Sequence, residues 1–128
     1  MINPEIKKLF NRGVEYFNNK NYYAAHDCFE EIWTDYKIND RLFIQALIQL
    51  SVAYFHISNI NKGGAVGLFK KSIKKLELYK DKKLIIQNIN IIIDAANKSY
   101  KLVSEIDDIK SFNWGLAPML EIRDGQEI

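Results

Sequence analysis

Residues 10–29 read FNRGVEYFNNKNYYAAHDCF, and residues 50–69 read LSVAYFHISNINKGGAVGLF. Shifted by 40 positions, Phe10 falls on Leu50, Gly13 on Ala53 and Phe17 on Ile57. The same shift places Asn19 on Asn59, Asn21 on Asn61, Ala25 on Ala65 and Phe29 on Phe69. In each copy, apolar and small residues recur at helical spacing on both sides of an asparagine-bearing turn, the pattern of a helical hairpin. The register crosses two helices and their turn without a gap, so the hairpin is duplicated. The spacing of Gly13, Tyr16, Ala25 and Phe29 also resembles the tetratricopeptide helix pair, in which small residues let two helices approach closely. Two hairpins make a compact bundle, since a superhelical array needs about three repeats.

The same periodicity extends outward. Pro4 suits the first turn of a helix reaching Asn18, with Ile6, Leu9, Phe10, Val14 and Phe17 on its buried face. Asn21 is placed to cap a second helix ending near Tyr36, and Asn39 or Asp40 a third ending near Ser58. A fourth helix runs to about Tyr79. A fifth, closing helix is expected over 81–106, apolar at Leu84, Ile85, Ile89, Ile92, Ile93, Ala96, Tyr100 and Val103. Residues 107–128 read as an irregular tail whose aromatics pack on the bundle. The fold class is therefore all-α, a single domain over 1–128 of about five helices.

Composition bounds the function. The 128 residues carry 18 basic and 16 acidic side chains, a net charge of +2, and one cysteine, Cys28. One cysteine rules out a disulfide within the chain and fits a reducing compartment. The opening Met-Ile-Asn-Pro-Glu-Ile-Lys-Lys lacks the basic-then-apolar pattern of a signal peptide. Residues 42–61 have no formal charge but contain Gln45, Gln49, His56, Asn59 and Asn61, too polar for a membrane span. A cytoplasmic protein without membrane contact is expected.

The third helix is apolar nearly all round, which marks it as the central one. With Arg41 at zero and about 100° per residue, Gln45, His56 and Gln49 lie at about 40°, 60° and 80°. These four polar residues share one stripe. On the second helix, His26 and Glu30 are i,i+4 neighbours, with Tyr23 beside them and Trp33 on the core side. If the two helices are adjacent, His26, Glu30, Arg41, Gln45, Gln49 and His56 converge into one polar site bordered by Tyr23 and Trp33.

Three runs carry a resemblance. Residues 22–33, YYAAHDCFEEIW, are similar to one signature of the small helical family catalogued as domain of unknown function 309, found in bacteria, archaea and plants. Residues 41–50, RLFIQALIQL, continuing to Ala53 and His56, resemble its second signature, and Asn59 to Ala65 its third. Together they cover about 9–79, in the family's order and spacing. Asp27 stands where the family usually has Glu, and Ala46 where it has Gly. The resemblance implies an all-helical single domain and brings no established activity.

The residues themselves leave three readings of the site open. Glu30 pairs with Arg41, and the glutamines and histidines satisfy one another in a structural network. Alternatively the six line a pocket for an unknown small ligand or protein partner. In the third reading they serve a hydrolase-like or metal-assisted enzyme, with His26 or His56 as base, Glu30 orienting it and Arg41 holding an anion. His26, Glu30 and His56 could ligate a divalent metal, but Arg41 beside them would repel it, and no metal or other cofactor is assigned. The binding module leads, because no nucleophile motif is present.

Other signals have plainer explanations. Cys28 lies about 200° around its helix from His26, which separates the pair. Gly63, Gly64 and Gly67 lack the preceding strand and the Lys-Ser/Thr ending of a phosphate loop, so close helix approach explains them better. Seven lysines between Lys70 and Lys83 face Glu77 and Asp81 alone. Without interleaved arginine they read as a solvated face, and nucleic acid is not expected as a partner. The isoleucines at 85, 86, 89, 91, 92 and 93 exceed one amphipathic stripe, leaving room for a second copy of the chain or for the chain's own tail.

Overall fold

A computed structural model describes residues 3–125. It contains α1 (Pro4–Asn18), α2 (Tyr22–Asp35), α3 (Arg41–Ser58), α4 (Lys62–Leu76) and α5 (Ile89–Glu105). Single 3₁₀ turns follow at Glu77–Tyr79, Ile109–Ser111 and Trp114–Leu116. The ends of the expected domain, residues 1–2 and 126–128, lie outside the described residues. Successive helices pack on one another from α1 through α5. No described helix is long and apolar enough to cross a membrane.

The duplication is visible bond by bond at the turns. Asn19 N donates to Glu15 O and Asn59 N to Phe55 O, at 3.1 and 3.0 Å. Lys20 N donates to Phe17 O and Ile60 N to Ile57 O; Asn21 N reaches Tyr16 O and Asn61 N reaches His56 O. Each turn passes through a left-handed residue, Lys20 at φ 63° and Ile60 at φ 58°. A β-branched side chain in that region is strained by roughly 1–2 kcal/mol, and Ile60 is 56% exposed with little packing to repay it. Ile60→Asn should therefore raise the unfolding free energy by about 1 kcal/mol, read from the urea midpoint. An unchanged or lower midpoint would show that Ile60 contributes an interaction outweighing its strain.

α3 is the central helix. Phe43, Ile44, Ala46, Leu47, Leu50, Ala53, Tyr54 and Ile57 are all buried along it. Two buried polar links tie it to other helices: Ser72 Oγ on α4 donates to Ala46 O at 2.9 Å, and Tyr54 Oη meets Ser99 Oγ on α5 at 2.8 Å. Gly13 is needed where it stands, since a Cβ there would come within 2.7 Å of the buried Phe29 ring. Gly64 similarly faces His56, whereas Gly63 and Gly67 have open space around them. Close approach thus explains Gly64 and neither of its neighbours.

The closing helix differs from the expectation at its start. Residues 80–88 are not helical; α5 begins at Ile89. Leu84, Ile85 and Ile86 are all buried, which consecutive residues achieve in an extended segment covered on both sides, not on one helical face. That cover is the tail. Ile86 bridges Ile122 in antiparallel fashion, and Gln87 N donates to Glu121 O at 2.8 Å. Two asparagine amides complete the attachment. Asn18 donates to Leu120 O and accepts from Leu120 N, at 3.0 and 2.7 Å. Asn88 donates to Met119 O and accepts from Glu121 N, at 2.8 and 3.0 Å. The tail's aromatics pack as expected: Phe112 is buried and Trp114 lies parallel to Tyr22. Of the isoleucines in and before α5, Ile85, Ile86, Ile89, Ile92 and Ile93 are buried in this arrangement and Ile91 stays exposed.

Candidate functional site

The first turns of α2 carry a cluster of polar side chains. His26 Nδ1 lies 2.7 Å from Tyr23 O, and a carbonyl only accepts, so this nitrogen carries the proton. His26 Nε2 then faces Glu30 Oε2 at 3.0 Å. Two acceptors opposed at that distance accommodate a proton or a cation between them. Asp27 Oδ1 is 3.4 Å from Nδ1, and one donor atom each from His26, Asp27 and Glu30 lies within 4.8 Å of the others. The Tyr23 ring rests 4.9 Å from the His26 ring and 5.1 Å from Phe55 of α3, yet Tyr23 is 54% exposed. An aromatic ring is thus held in place at the surface.

Arg41 does other work. Its Nη2 donates to Trp33 O at 2.8 Å and its Nη1 to Tyr36 O at 3.2 Å, while the guanidinium sits 4.6 Å over the Trp33 ring. It satisfies carbonyls at the open end of α2 from the first residue of α3. A planar fork makes two such bonds and stacks at once, which a lysine cannot. The expected Glu30–Arg41 pair is absent among the described residues.

The remaining members separate. Gln49 accepts from Lys75 Nζ of α4 at 3.0 Å. Partial burial lowers the Lys75 pKa, and the charges of Lys71 and Lys74 lower it further, so one lysine of the basic face is drawn off it. His56 Nδ1 lies 3.3 Å from Asn61 Nδ2 in the α3–α4 turn. Gln45 is half-buried and makes no side-chain hydrogen bond to a described residue. The six residues therefore do not converge into one network, and none of them is sealed from solvent. The physical reason is axial distance. A helical wheel records angle and ignores height, and 15 residues at 1.5 Å separate Arg41 from His56 by about 22 Å. His56 lies outside the donor cluster, where Asp27 stands in its place.

Asp27 and Phe55 also belong to this surface, and neither was among the six residues expected to form the site. Two signals were available for Asp27: it is adjacent to His26, and it stands at an acidic position of the resembled signature. Phe55 lies on α3 at the height where α2 begins, a placement only the hairpin geometry supplies. Cys28 is buried, and that burial raises its thiol pKa, with Arg12 opposing and Asp27 and Glu31 adding to it. Two clefts lie away from this cluster. One of about 680 Å³ is lined by Lys82, Asn88, Ile91, Glu121 and Arg123 among others. A second, of about 330 Å³, lies beside Tyr22 and Trp114.

Residues 10–68 match the family described as domain of unknown function (DUF309), the family whose signatures the chain resembles. The match contains His26, Glu30, Trp33, Arg41 and His56, and stops before α5 and the tail. No curated protein and no solved structure matches the chain.

Proposed function

We propose that the chain is a small helical interaction module that binds a protein partner across the α2–α3 face. The observation that carries this reading is Tyr23, more than half exposed yet fixed between His26 and Phe55. An aromatic side chain held at the surface loses little further freedom on binding, and Tyr, Trp and Arg dominate the binding energy of interfaces. Trp33 under Arg41 extends the same surface toward the other end of α2. The tetratricopeptide-like hairpin spacing supports this use. A cytoplasmic location goes with the single free cysteine. For a second copy of the chain, α5 offers one exposed isoleucine, Ile91.

The test is site-specific photocrosslinking in cells, with the reactive side chain placed at Tyr23 and, as control, at Lys98 on α5. A discrete adduct at position 23 that is absent at 98 supports the module. Equal or no labelling at the two positions contradicts it. Tyr23→Ala should abolish competition for that partner while changing stability by less than about 1 kcal/mol.

A second reading is favoured by the clustering of His26, Asp27 and Glu30. With Arg41 turned to the Trp33 and Tyr36 carbonyls, the repulsion expected against a cation there is relieved. These three would hold a divalent ion such as Zn²⁺ in a metal-assisted site. Calorimetric titration with Zn²⁺ tests it: one site lost in His26→Ala supports the ion, and the same heats in wild type and variant exclude it.

A further inference from the structure

Tyr22 opens α2 with its side chain only 3% exposed, and its hydroxyl has no hydrogen-bond partner among the described residues. The neighbouring Tyr54 is equally buried, and its hydroxyl is answered by Ser99 at 2.8 Å. Buried hydroxyls ordinarily find partners, so the difference between the two phenols needs an explanation. Tyr22 lines the cleft of about 330 Å³ together with Lys20, Ser58 and Trp114. No buried side-chain polar atom in the described residues is both sealed and unpaired, so the Tyr22 hydroxyl opens onto this space.

The cleft lies beside a stack of aromatic rings. Trp114 lies parallel to Tyr22, with centroids 6.0 Å apart and planes inclined by 16°. Tyr22 in turn stacks on Tyr54 at 5.2 Å and 28°. The Trp114 indole N–H makes no hydrogen bond to a described residue and adds a second unused donor. Lys20 stands on the rim, positioned by its left-handed backbone, with no ion-pair partner among the described residues. Ser58 Oγ reaches Tyr54 O only at a long 3.4 Å. No carboxylate among the described residues lines the cleft. Burial raises the Tyr22 pKa, which keeps the phenol a hydrogen-bond donor.

We infer that this cleft binds a small planar aromatic carboxylate, its ring against Trp114, its edge at the Tyr22 hydroxyl and its carboxylate at Lys20. The volume is at the small end of ligand sites and suits one or two rings. The half-buried Trp114 supplies the apolar and stacking contact, and the Tyr22 hydroxyl and Lys20 ammonium supply direction. This site is separate from the α2–α3 face and does not depend on the protein partner proposed there.

The probe is indole-3-acetate, with indole as its uncharged counterpart, followed by two-dimensional NMR of the full ¹⁵N-labelled chain. Saturable shifts are expected at the Trp114 indole N–H and the Lys20 and Ser58 amides, with Kd below about 1 mM, and none at Trp33. Lys20→Gln should weaken indole-3-acetate about three- to tenfold and leave indole unchanged. Tyr22→Phe, which keeps the ring and the fold, should weaken indole-3-acetate by about threefold or more. No saturable shift at Trp114 up to about 5 mM overturns the site. Equal affinity for indole and indole-3-acetate overturns the carboxylate assignment and points to an apolar side chain as occupant.

Discussion

Tyr54→Ala should lower the unfolding free energy by about 4 kcal/mol, the largest loss expected of any single substitution in this chain. The ring is fully buried and has five aromatic neighbours: Phe17, Tyr22, Phe69, Phe112 and Trp114, with centroids 5.0–6.3 Å away. These come from both hairpins and the tail, so the cavity would have walls on elements that cannot collapse together. Tyr54→Phe keeps the ring and removes one hydrogen bond, leaving Ser99 buried without its partner at a cost of about 1–2 kcal/mol. Adding Ser99→Ala to Tyr54→Phe should recover part of that loss, because the orphaned hydroxyl goes with it. Urea unfolding of the four proteins measures the cycle. An alanine variant losing less than about 1.5 kcal/mol would mean that Tyr54 is not the hub of the core.

The second large effect is expected at the two asparagines that hold the tail. Asn88→Ala removes a donor from Met119 O and an acceptor from Glu121 N, in a site where Asn88 is itself buried. Two lost bonds with part-buried backbone partners should cost about 2–3 kcal/mol. Asn18→Ala in the same chain removes the matching pair at Leu120 and should bring the total to about 4 kcal/mol. Hydrogen exchange locates the change. Glu121 and Leu120 amides should lose protection first, while the α3 amides stay protected to the global limit. Uniform loss across the chain would show instead that the tail and the hairpins unfold as one unit.

How much of this the sequence disclosed depends on the range of the interaction. The hairpins were legible because their determinants are local: small residues facing a helix four residues beyond a turn, and asparagines where the turn needs them. Even the left-handed positions recur at the same offset, at Lys20 and Ile60. The start of α5 was not legible. Leu84, Ile85 and Ile86 are compatible with a helix until Ile122, 36 residues beyond Ile86, is known to pair with it. Of the site, the His26–Glu30 contact followed from i,i+4 spacing. Arg41 was legible as part of the polar stripe, but its partners are carbonyls, which no residue type reveals. Gln49 and His56 share an angle with Arg41 and differ from it in height, so they turn to α4 and its leading turn instead.

The clamped tail has a consequence for the order of assembly. Nearly all helix packing here joins neighbours in sequence, which favours rapid folding. The Asn18–Leu120 bonds instead span 102 residues, and their closure must wait until the intervening helices have shortened that distance. The stacked rings of Tyr22 and Tyr54 are therefore roofed by Trp114 last. On this ordering both hairpins are expected to form before the aromatic floor is covered. A refolding experiment following Trp114 fluorescence against helical circular dichroism would see the helix signal arrive first. A buried aromatic pair is thus covered by a segment far from it in sequence.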